Sequence, residues 1–471
     1  MRPAVDLEGK RVLVVGIARA GVAASLVSLA HGASVTATDE KPEAELGERA
    51  SRLRRAGVKL VLGPHPPAAF LEQDLIVVSP GVPANLPALE LARAGGIPVW
   101  SEIELAWRFL RGKVVAITGS NGKTTTTSLV AHILKTAGIG TLVGGNIGVP
   151  LASLVEFSTD RTVTVAEISS FQLETISLFR PEIGVVLNLS PDHLDRHRSF
   201  EDYARVKMRI FENQLERDAA VLNADDLELN SRMPSRPRLF WFSRRKRVTQ
   251  GAFVCGDQLM VQIDGTEVAI ARRDEVPLRG DHNVENVLAA IAASYLAGAE
   301  PAAIRCGVKT FGGVEHRLEF VADIGGVKFY NDSKATNVDA ALKAVEAFPG
   351  PLVVILGGKD KGSPYTVLRE PLSRLARLVV LIGSAAGTIA SDLGPGVPVE
   401  QAGTLERAVR SSLERAKPGD VVLLSPACSS FDQFENYEHR GRVFKELVRT
   451  LASQPRQASD GERAGGIDGA A

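Results

Sequence analysis

Residues 114–127 read VVAITGSNGKTTTT, and the reading of the whole chain turns on them. Val114 to Ile117 is a short apolar run of the kind that makes a buried strand. Gly119 and Gly122 follow, then Lys123 and the threonines 124 to 127. From Ser128 onward Leu129, Ile133 and Leu134 recur at helical spacing. Strand, Gly-rich turn, Lys-Thr and helix together make a phosphate cradle. The glycines let backbone N–H groups close around phosphate oxygens, and the helix start adds the positive end of its dipole. In such a loop Lys123 reaches the outer phosphates and the Thr124 hydroxyl reaches Mg²⁺. The usual first glycine, five residues before Gly122, is Ile117 here, so Gly119 tightens the turn instead. The competing reading is a plain Gly-rich turn; Gly-Lys-Thr-Thr with flanking periodicity favours phosphate.

Upstream, Arg11 to Val15 is an apolar strand running into Gly16-Ile17-Ala18-Arg19-Ala20-Gly21 and a helix, Val22 to Ala30. A second strand, Ser34 to Thr38, ends at Asp39. This is a Rossmann-type opening, with Ala18 where a second glycine would admit a pyrophosphate closely. Asp39 reads equally as a ribose or base ligand and as a capping or loop carboxylate. A third strand, Asp74 to Val78, ends in Ser79-Pro80-Gly81. Polar turns at the carboxyl ends of parallel strands point to one binding cleft.

Downstream, Gly144-Gly145-Asn146-Ile147-Gly148 is a turn that brings backbone and an amide to a ligand. A strand from Thr162 to Ala166 ends at Glu167, where an acid beside a phosphate loop commonly serves Mg²⁺. Another, Ile183 to Leu187, leads into Pro191-Asp192-His193-Leu194-Asp195-Arg196-His197. Mg²⁺ prefers oxygen, so this cluster reads either as a metal site or as a turn stabilised by Asp and His. A helix from Phe200 to Leu215 carries Tyr203 and Lys207, and by itself Lys207 reads as a surface lysine. Residues 238–276 shorten to strands with an Asp264-Gly265 hairpin turn, expected as a small antiparallel insert over one face. An Ala-rich helix opens at Gly280 and runs to Leu296. On it either Asn283 or Asn286 could read an adenine edge, with helix capping the rival account for Asn283. Beyond Phe311-Gly312-Gly313, strands at 351–356, 378–382 and 420–424 alternate with helices, a second doubly wound α/β unit. Cys428 reads as a packed small residue rather than a nucleophile, because no base is visibly paired with it.

At 471 residues the chain exceeds one core, and about two to four domains are expected. Lys+Arg and Asp+Glu both number 55, which argues against a broad nucleic-acid or anionic-membrane surface; the run Arg244-Arg245-Lys246-Arg247 reads as a solvated turn. The three cysteines make neither a disulfide framework nor a metal knuckle. No signal peptide and no membrane-spanning run are read, so a cytoplasmic setting is expected; a monomer is expected separately. The tail from Ser453 is expected to be disordered.

ITGSNGKTTTT, GGNIG, EISSFQLE, DHLDRH, YARVK, HNVEN, EHRLE, NDSKATN, GGKDKG and SPACSSFDQF occur in this order across nearly the whole chain. Their sequence resembles the ATP-dependent Mur ligase family. The resemblance implies three α/β domains. Residues 1–112 would be a Rossmann-like UDP-binding domain, 113–313 a P-loop ATP-binding domain with a small antiparallel insert, and 314–453 a Rossmann-like domain for the incoming amino acid. It implies a ligase that adds D-glutamate to UDP-N-acetylmuramoyl-L-alanine through an acyl phosphate, using ATP and two Mg²⁺ ions. Thr124, Glu167, His193 and Lys207 would hold the metal, Lys207 as a carbamate, and with Lys123 they form the implied catalytic set. Gly119, Ser120, Asn121, Gly122, Lys123, Thr124, Thr125, Asn283, Asn286, Arg317 and Asp332 would bind ATP. Gly16, Ile17, Ala18, Asp39, Ser79, Gly81, Asn146 and Ser169 would take the UDP substrate. Lys334, Thr336, Lys361, Ser430, Phe431 and Tyr437 would take the amino acid. The rivals are a sibling ligase using another amino acid, a P-loop ATPase that makes no bond, and a nicotinamide dehydrogenase, the last weakened by Ala18.

Overall fold

The computed structural model describes residues 2, 5–64, 67–193, 196–278, 280–360 and 362–453. The tail 454–471 and Lys361 lie outside them, as do Leu194 and Asp195 of the His193 cluster. The chain divides into two compact units, up to Gly312 and from Gly313 on.

The first unit holds two sheets. Strands β1 (Arg11–Val15), β2 (Ser34–Asp39), β3 (Lys59–Leu62), β4 (Leu75–Val78) and β5 (Val99–Ser101) pair in parallel in the order β3-β2-β1-β4-β5. Their apolar runs bury both faces: Val12, Val14 and Val77 enter one core, Leu13, Val15 and Ile76 the other. The order reverses at β1, which puts a crevice at its carboxyl end.

The central sheet contains β6 (Lys113–Thr118), β7 (Thr141–Gly145), β8 (Val163–Glu167), β9 (Ile183–Val186), β10 (Ala219–Asn223), β11 (Arg238–Ser243), β12 (Gly251–Cys255), β13 (Gln258–Ile263) and β14 (Thr266–Arg272). Its order is β14-β13-β12-β11-β10-β9-β6-β8-β7. β6 to β12 pair in parallel and β12-β13-β14 antiparallel. The antiparallel strands expected for 238–276 are present, but they continue the sheet from its β11 edge instead of lying over a face. Two members of the basic run at 244–247 are ion-paired there: Arg244 pairs with Asp281 at 2.9 Å and Arg247 with Glu267. β6 lies between β8 and β9, so its carboxyl end is a second reversal point.

The helices Arg19–Ala30 and Glu102–Phe109 share a core with the central sheet, in which Ala23, Ile103, Ala106 and Trp107 pack with Val114, Leu151 and Ala166. Arg2 donates to Leu110 O and, at 2.7 Å, to Gly112 O, tying down the segment that joins them.

The second unit contains β15 (Glu319–Ile324), β16 (Val327–Asn331), β17 (Leu352–Gly357), β18 (Ala376–Ile382), β19 (Val399–Gly403) and β20 (Val421–Leu424), ordered β15-β16-β20-β17-β18-β19. All pairs are parallel except the β15-β16 hairpin. Leu352, Val354 and Leu423 fill one core; Val353, Ile355 and Leu424 fill the other. Among the described residues no helix is long and apolar enough to cross a membrane.

Candidate active site

The turn after β6 is built for close approach. Gly119 has φ 150° and Gly122 φ 86°, and a Cβ on Gly122 would overlap Asn286 Oδ1. Gly122 caps the helix Lys123–Thr136, which begins five residues earlier than the apolar periodicity alone marks it. The loop is closed from the end of β9: Ser120 N donates to Asn188 O at 3.0 Å and Asn121 N to Asn188 Oδ1 at 2.9 Å. Ser120 Oγ donates to Ser190 O at 2.9 Å and lies 3.1 Å from the Tyr203 hydroxyl. Lys123 Nζ donates to Gly119 O and Ser120 O, both at 2.8 Å. Thr125 is buried in the first helical turn, and Ile117, in place of the usual glycine, is wholly inside β6.

Beneath this loop, Glu167 at the end of β8 is 2% exposed. Its Oε2 accepts from Thr124 Oγ1 at 2.7 Å and its Oε1 from Asn146 Nδ2 at 2.8 Å. Asn146 N also donates to Glu167 O at 2.8 Å, so the turn after β7 is fastened to the same acid. Lys207 is not a surface residue: it is 2% exposed. Its Nζ donates to Gly119 O at 3.0 Å and Thr118 Oγ1 at 3.4 Å. Burial, with a further contribution from Lys123, holds its amine well below the usual lysine pKa. The helix carrying it ends at Met208, and a short 3₁₀ turn follows where one helix to Leu215 is expected.

His193 lies on the loop after β9 with φ 52°, its ring edge-on to Phe171 at 5.0 Å and its Nε2 3.6 Å from Asp192 Oδ2. Among the described residues no three His, Cys, Asp or Glu side chains gather as a ready-made metal site. The oxygen pair of Thr124 and Glu167 is the contact the fold itself supplies.

Asn283 is no cap, because the helix Asp281–Ala297 starts two residues before it with Gly280 as its cap. Asn286 Nδ2 donates to Asn283 Oδ1 at 3.0 Å, and Asn286 Oδ1 accepts from Thr126 Oγ1 at 3.4 Å.

At the carboxyl ends of β1, β2 and β4 the turns expected to form a cleft are joined by hydrogen bonds. Ile17 N donates to Asp39 Oδ2 at 2.7 Å and Lys41 N to Asp39 Oδ1 at 3.0 Å. Asp39 therefore braces the loop Gly16-Ile17-Ala18. Ser79 Oγ donates to Gly16 O at 2.8 Å, and Gly81 follows in the same turn. Ser169 forms a capping box with Gln172 on the short helix after Glu167. Arg196, for which the sequence offers no distinguishing sign, joins this cleft to the central sheet. It donates to Pro80 O at 3.0 Å, Val82 O at 2.9 Å and Glu174 Oε2 at 2.7 Å, and lies over Phe171 at 4.3 Å.

The second unit groups its predicted residues separately. Asp332 is buried; Leu318 N donates to its Oδ1 at 3.2 Å and Ser425 Oγ to its Oδ2 at 3.1 Å. Desolvation pushes its carboxyl up to about 7, against the pull of Arg317. Lys334 Nζ lies over the Tyr437 ring at 5.4 Å, and Thr336 N donates to Lys334 O at 2.8 Å. Ser430 is buried beside Phe431, which is 68% exposed.

A cavity of about 940 Å³ lies elsewhere, between the helix Arg19–Ala30 and residues 148–158, and none of the predicted site residues lines it.

Models of three domains match the chain in succession: "Mur ligase MurD-like, N-terminal domain" over residues 10–101, "Mur ligase middle domain" over 117–294, and "Mur ligase, glutamate ligase domain" over 316–428. The chain is 53% identical to the UDP-N-acetylmuramoylalanine--D-glutamate ligase of Koribacter versatilis, across 96% of this chain and 100% of that one. It is 54% identical to the enzyme of the same name from Acidobacterium capsulatum, across 94% and 97%. In fold it is similar to a pseudomurein peptide ligase type C from Methanothermus fervidus, with TM-score 0.60 and 21% identity, covering 94% and 100% of the two chains. Identity above one half along nearly the full length, with every domain matched in order, settles the relationship: this chain belongs to the Mur ligase family.

Proposed function

We propose that this chain is an ATP-dependent ligase that joins D-glutamate to UDP-N-acetylmuramoyl-L-alanine in peptidoglycan synthesis, working as a cytoplasmic monomer. The observation that carries the reading is the Thr124–Glu167 contact under the phosphate loop. A carboxylate is a poor acylating agent. The γ-phosphoryl group passes to the alanine carboxylate, breaking the bond to ADP and forming an acyl phosphate. The D-glutamate amine then attacks the acyl carbon and loses its proton, and phosphate leaves from the tetrahedral intermediate. Both steps gather negative charge on oxygen, which Lys123 and the loop N–H groups stabilise.

Thr124 Oγ1 and the Glu167 carboxylate are hard oxygen donors, so these residues fit Mg²⁺. When bound, the ion supplies positive charge against the phosphates. We assign two ions, with His193 and Lys207 completing the donor set. Lys207 would serve as a carbamate: its neutral amine adds to CO₂, an N–C bond forms and a proton leaves to water, so a cation becomes an anionic oxygen donor. Its burial beside two uncharged acceptors supports this. Gly16, Ile17, Ala18, Asp39, Ser79, Gly81, Asn146 and Ser169 are assigned to the UDP substrate. Arg317, Asp332, Asn283 and Asn286 are assigned to ATP, and Lys334, Thr336, Lys361, Ser430, Phe431 and Tyr437 to the amino acid.

The test is an amino-acid panel with UDP-N-acetylmuramoyl-L-alanine and ATP. ADP and phosphate should appear only when both the acceptor and D-glutamate are present. Hydrolysis that proceeds equally without them would overturn the ligase reading, and turnover with a different amino acid alone would overturn the substrate.

A further inference from the structure

We propose that Arg440 is the positioning residue of the amino-acid pocket, tying together within the second unit the loops that carry its residues. The inference rests on the assignment of that pocket made above. Arg440 belongs to the helix Tyr437–Ser453 and is fully buried, 0% exposed. Its Nε donates to Ser333 Oγ at 3.0 Å, and its Nη2 to Ser333 O at 2.9 Å and Cys428 O at 3.2 Å. Its Nη1 donates to Ser429 O at 3.4 Å. Ser333 immediately precedes Lys334, and Ser429 immediately precedes Ser430.

A third loop is drawn in through the second. Lys359 N donates to Ser429 O at 2.9 Å and Ser429 Oγ to Lys359 O at 3.1 Å. Gly358 passes so near the guanidinium that a Cβ there would stand 3.1 Å from Nη1. Ser333 Oγ in turn donates to the carbonyl of Tyr437, one turn before Arg440.

Every acceptor of Arg440 is uncharged, and among the described residues no carboxylate stands within ion-pair distance of it. A guanidinium buried in this way is tolerable only because its donors are used. Only a planar fork with five N–H groups meets acceptors arriving from several directions; a lysine ammonium is a point donor on a flexible stem. The placement therefore does more than fill space. It sets the spacing between the Lys334 and Ser430 loops, and it leaves a positive charge, opposed only at longer range by Asp432, beneath a pocket for a dicarboxylate.

The test compares wild type, Arg440→Lys and Arg440→Ala, varying each of the three substrates in turn. Arg440→Ala should raise KM for D-glutamate roughly 10- to 100-fold, the scale of one or two lost charge-assisted hydrogen bonds. KM for ATP and for the UDP precursor should stay within about two-fold, inside the small change expected where no contact is lost. Added ethylguanidinium should restore the D-glutamate KM of Arg440→Ala, and Arg440→Lys should remain impaired. An unchanged D-glutamate KM in a folded variant, or all three KM values rising together, overturns the proposal. If Arg440→Ala does not fold, Arg440→Lys decides by the same split. A wild type that refuses D-glutamate but joins another amino acid overturns the substrate assignment instead, and the comparison is then made with that amino acid.

Discussion

Lys123 and Lys207 donate to the same carbonyl, Gly119 O, at 2.8 and 3.0 Å, yet their surroundings differ. Lys123 is the loop's cation, and Lys123→Ala should lower turnover by roughly 10²–10³, the scale for removing one charge-stabilising donor. A near-normal rate would remove it from the mechanism. Burial and a neighbouring ammonium lower the Lys207 amine pKa well below the usual lysine value, which favours the neutral form that adds CO₂. Lys207→Ala should be rescued in part by short carboxylic acids; a folded variant that ignores them would count against the carbamate. Glu102 illustrates the opposite sign. It is buried, Ala152 N donates to its Oε1 at 2.6 Å, and its Oε2 has no hydrogen-bond partner among the described residues. Desolvation raises its carboxyl from 4.5 to about 7. In the folded state it stays protonated while the unfolded chain ionises. It therefore stabilises fully below the ordinary carboxylate pKa and is lost as pH rises towards 7, by up to about 1.4 kcal/mol per pH unit. Glu102→Gln should thus gain in melting temperature relative to wild type between pH 5 and pH 7. A difference independent of pH would show that Glu102 is already charged.

At the level of strands and turns, what could be read in advance was local. The β6 turn and helix, β1, β2 and β4 declared themselves because apolar runs end in Gly, Asp or Ser within a few residues. β19, with half-buried Glu400 and exposed Gln401, and β7, ending in two glycines, exist as strands only because β18 and β8 pair with them. Alternation between residues 238 and 276 reveals strands but not their neighbours, so the continuation of the central sheet was illegible. Asn188, Asn286 and Arg196 act across 22 to 164 residues of chain, and single residues carry no mark of such partners. Arg196 makes the element-scale prediction. Because it holds the turn after β4 against Glu174, Arg196→Ala should raise KM for the UDP precursor by roughly ten-fold, the scale of a lost charge-assisted hydrogen bond, while sparing KM for ATP. Parallel changes in both would mean that it merely supports the fold.

For the molecule as a whole, the first two sheets each place a reversal of strand order, at β1 and at β6, where chemistry is read. The outermost strand of the central sheet, β14, has a guard of its own. Arg305, on the helix Pro301–Thr310, donates to Ile270 O at 2.8 Å and Ala269 O at 2.7 Å. Two acceptors that a foreign strand would seek are occupied. Arg305→Ala should leave turnover intact but make light scattering climb with protein concentration; scattering that stays flat would mean other features keep the molecules apart. If it climbs, that arginine, which is none of the predicted site residues, helps decide how crowded a solution the enzyme can tolerate.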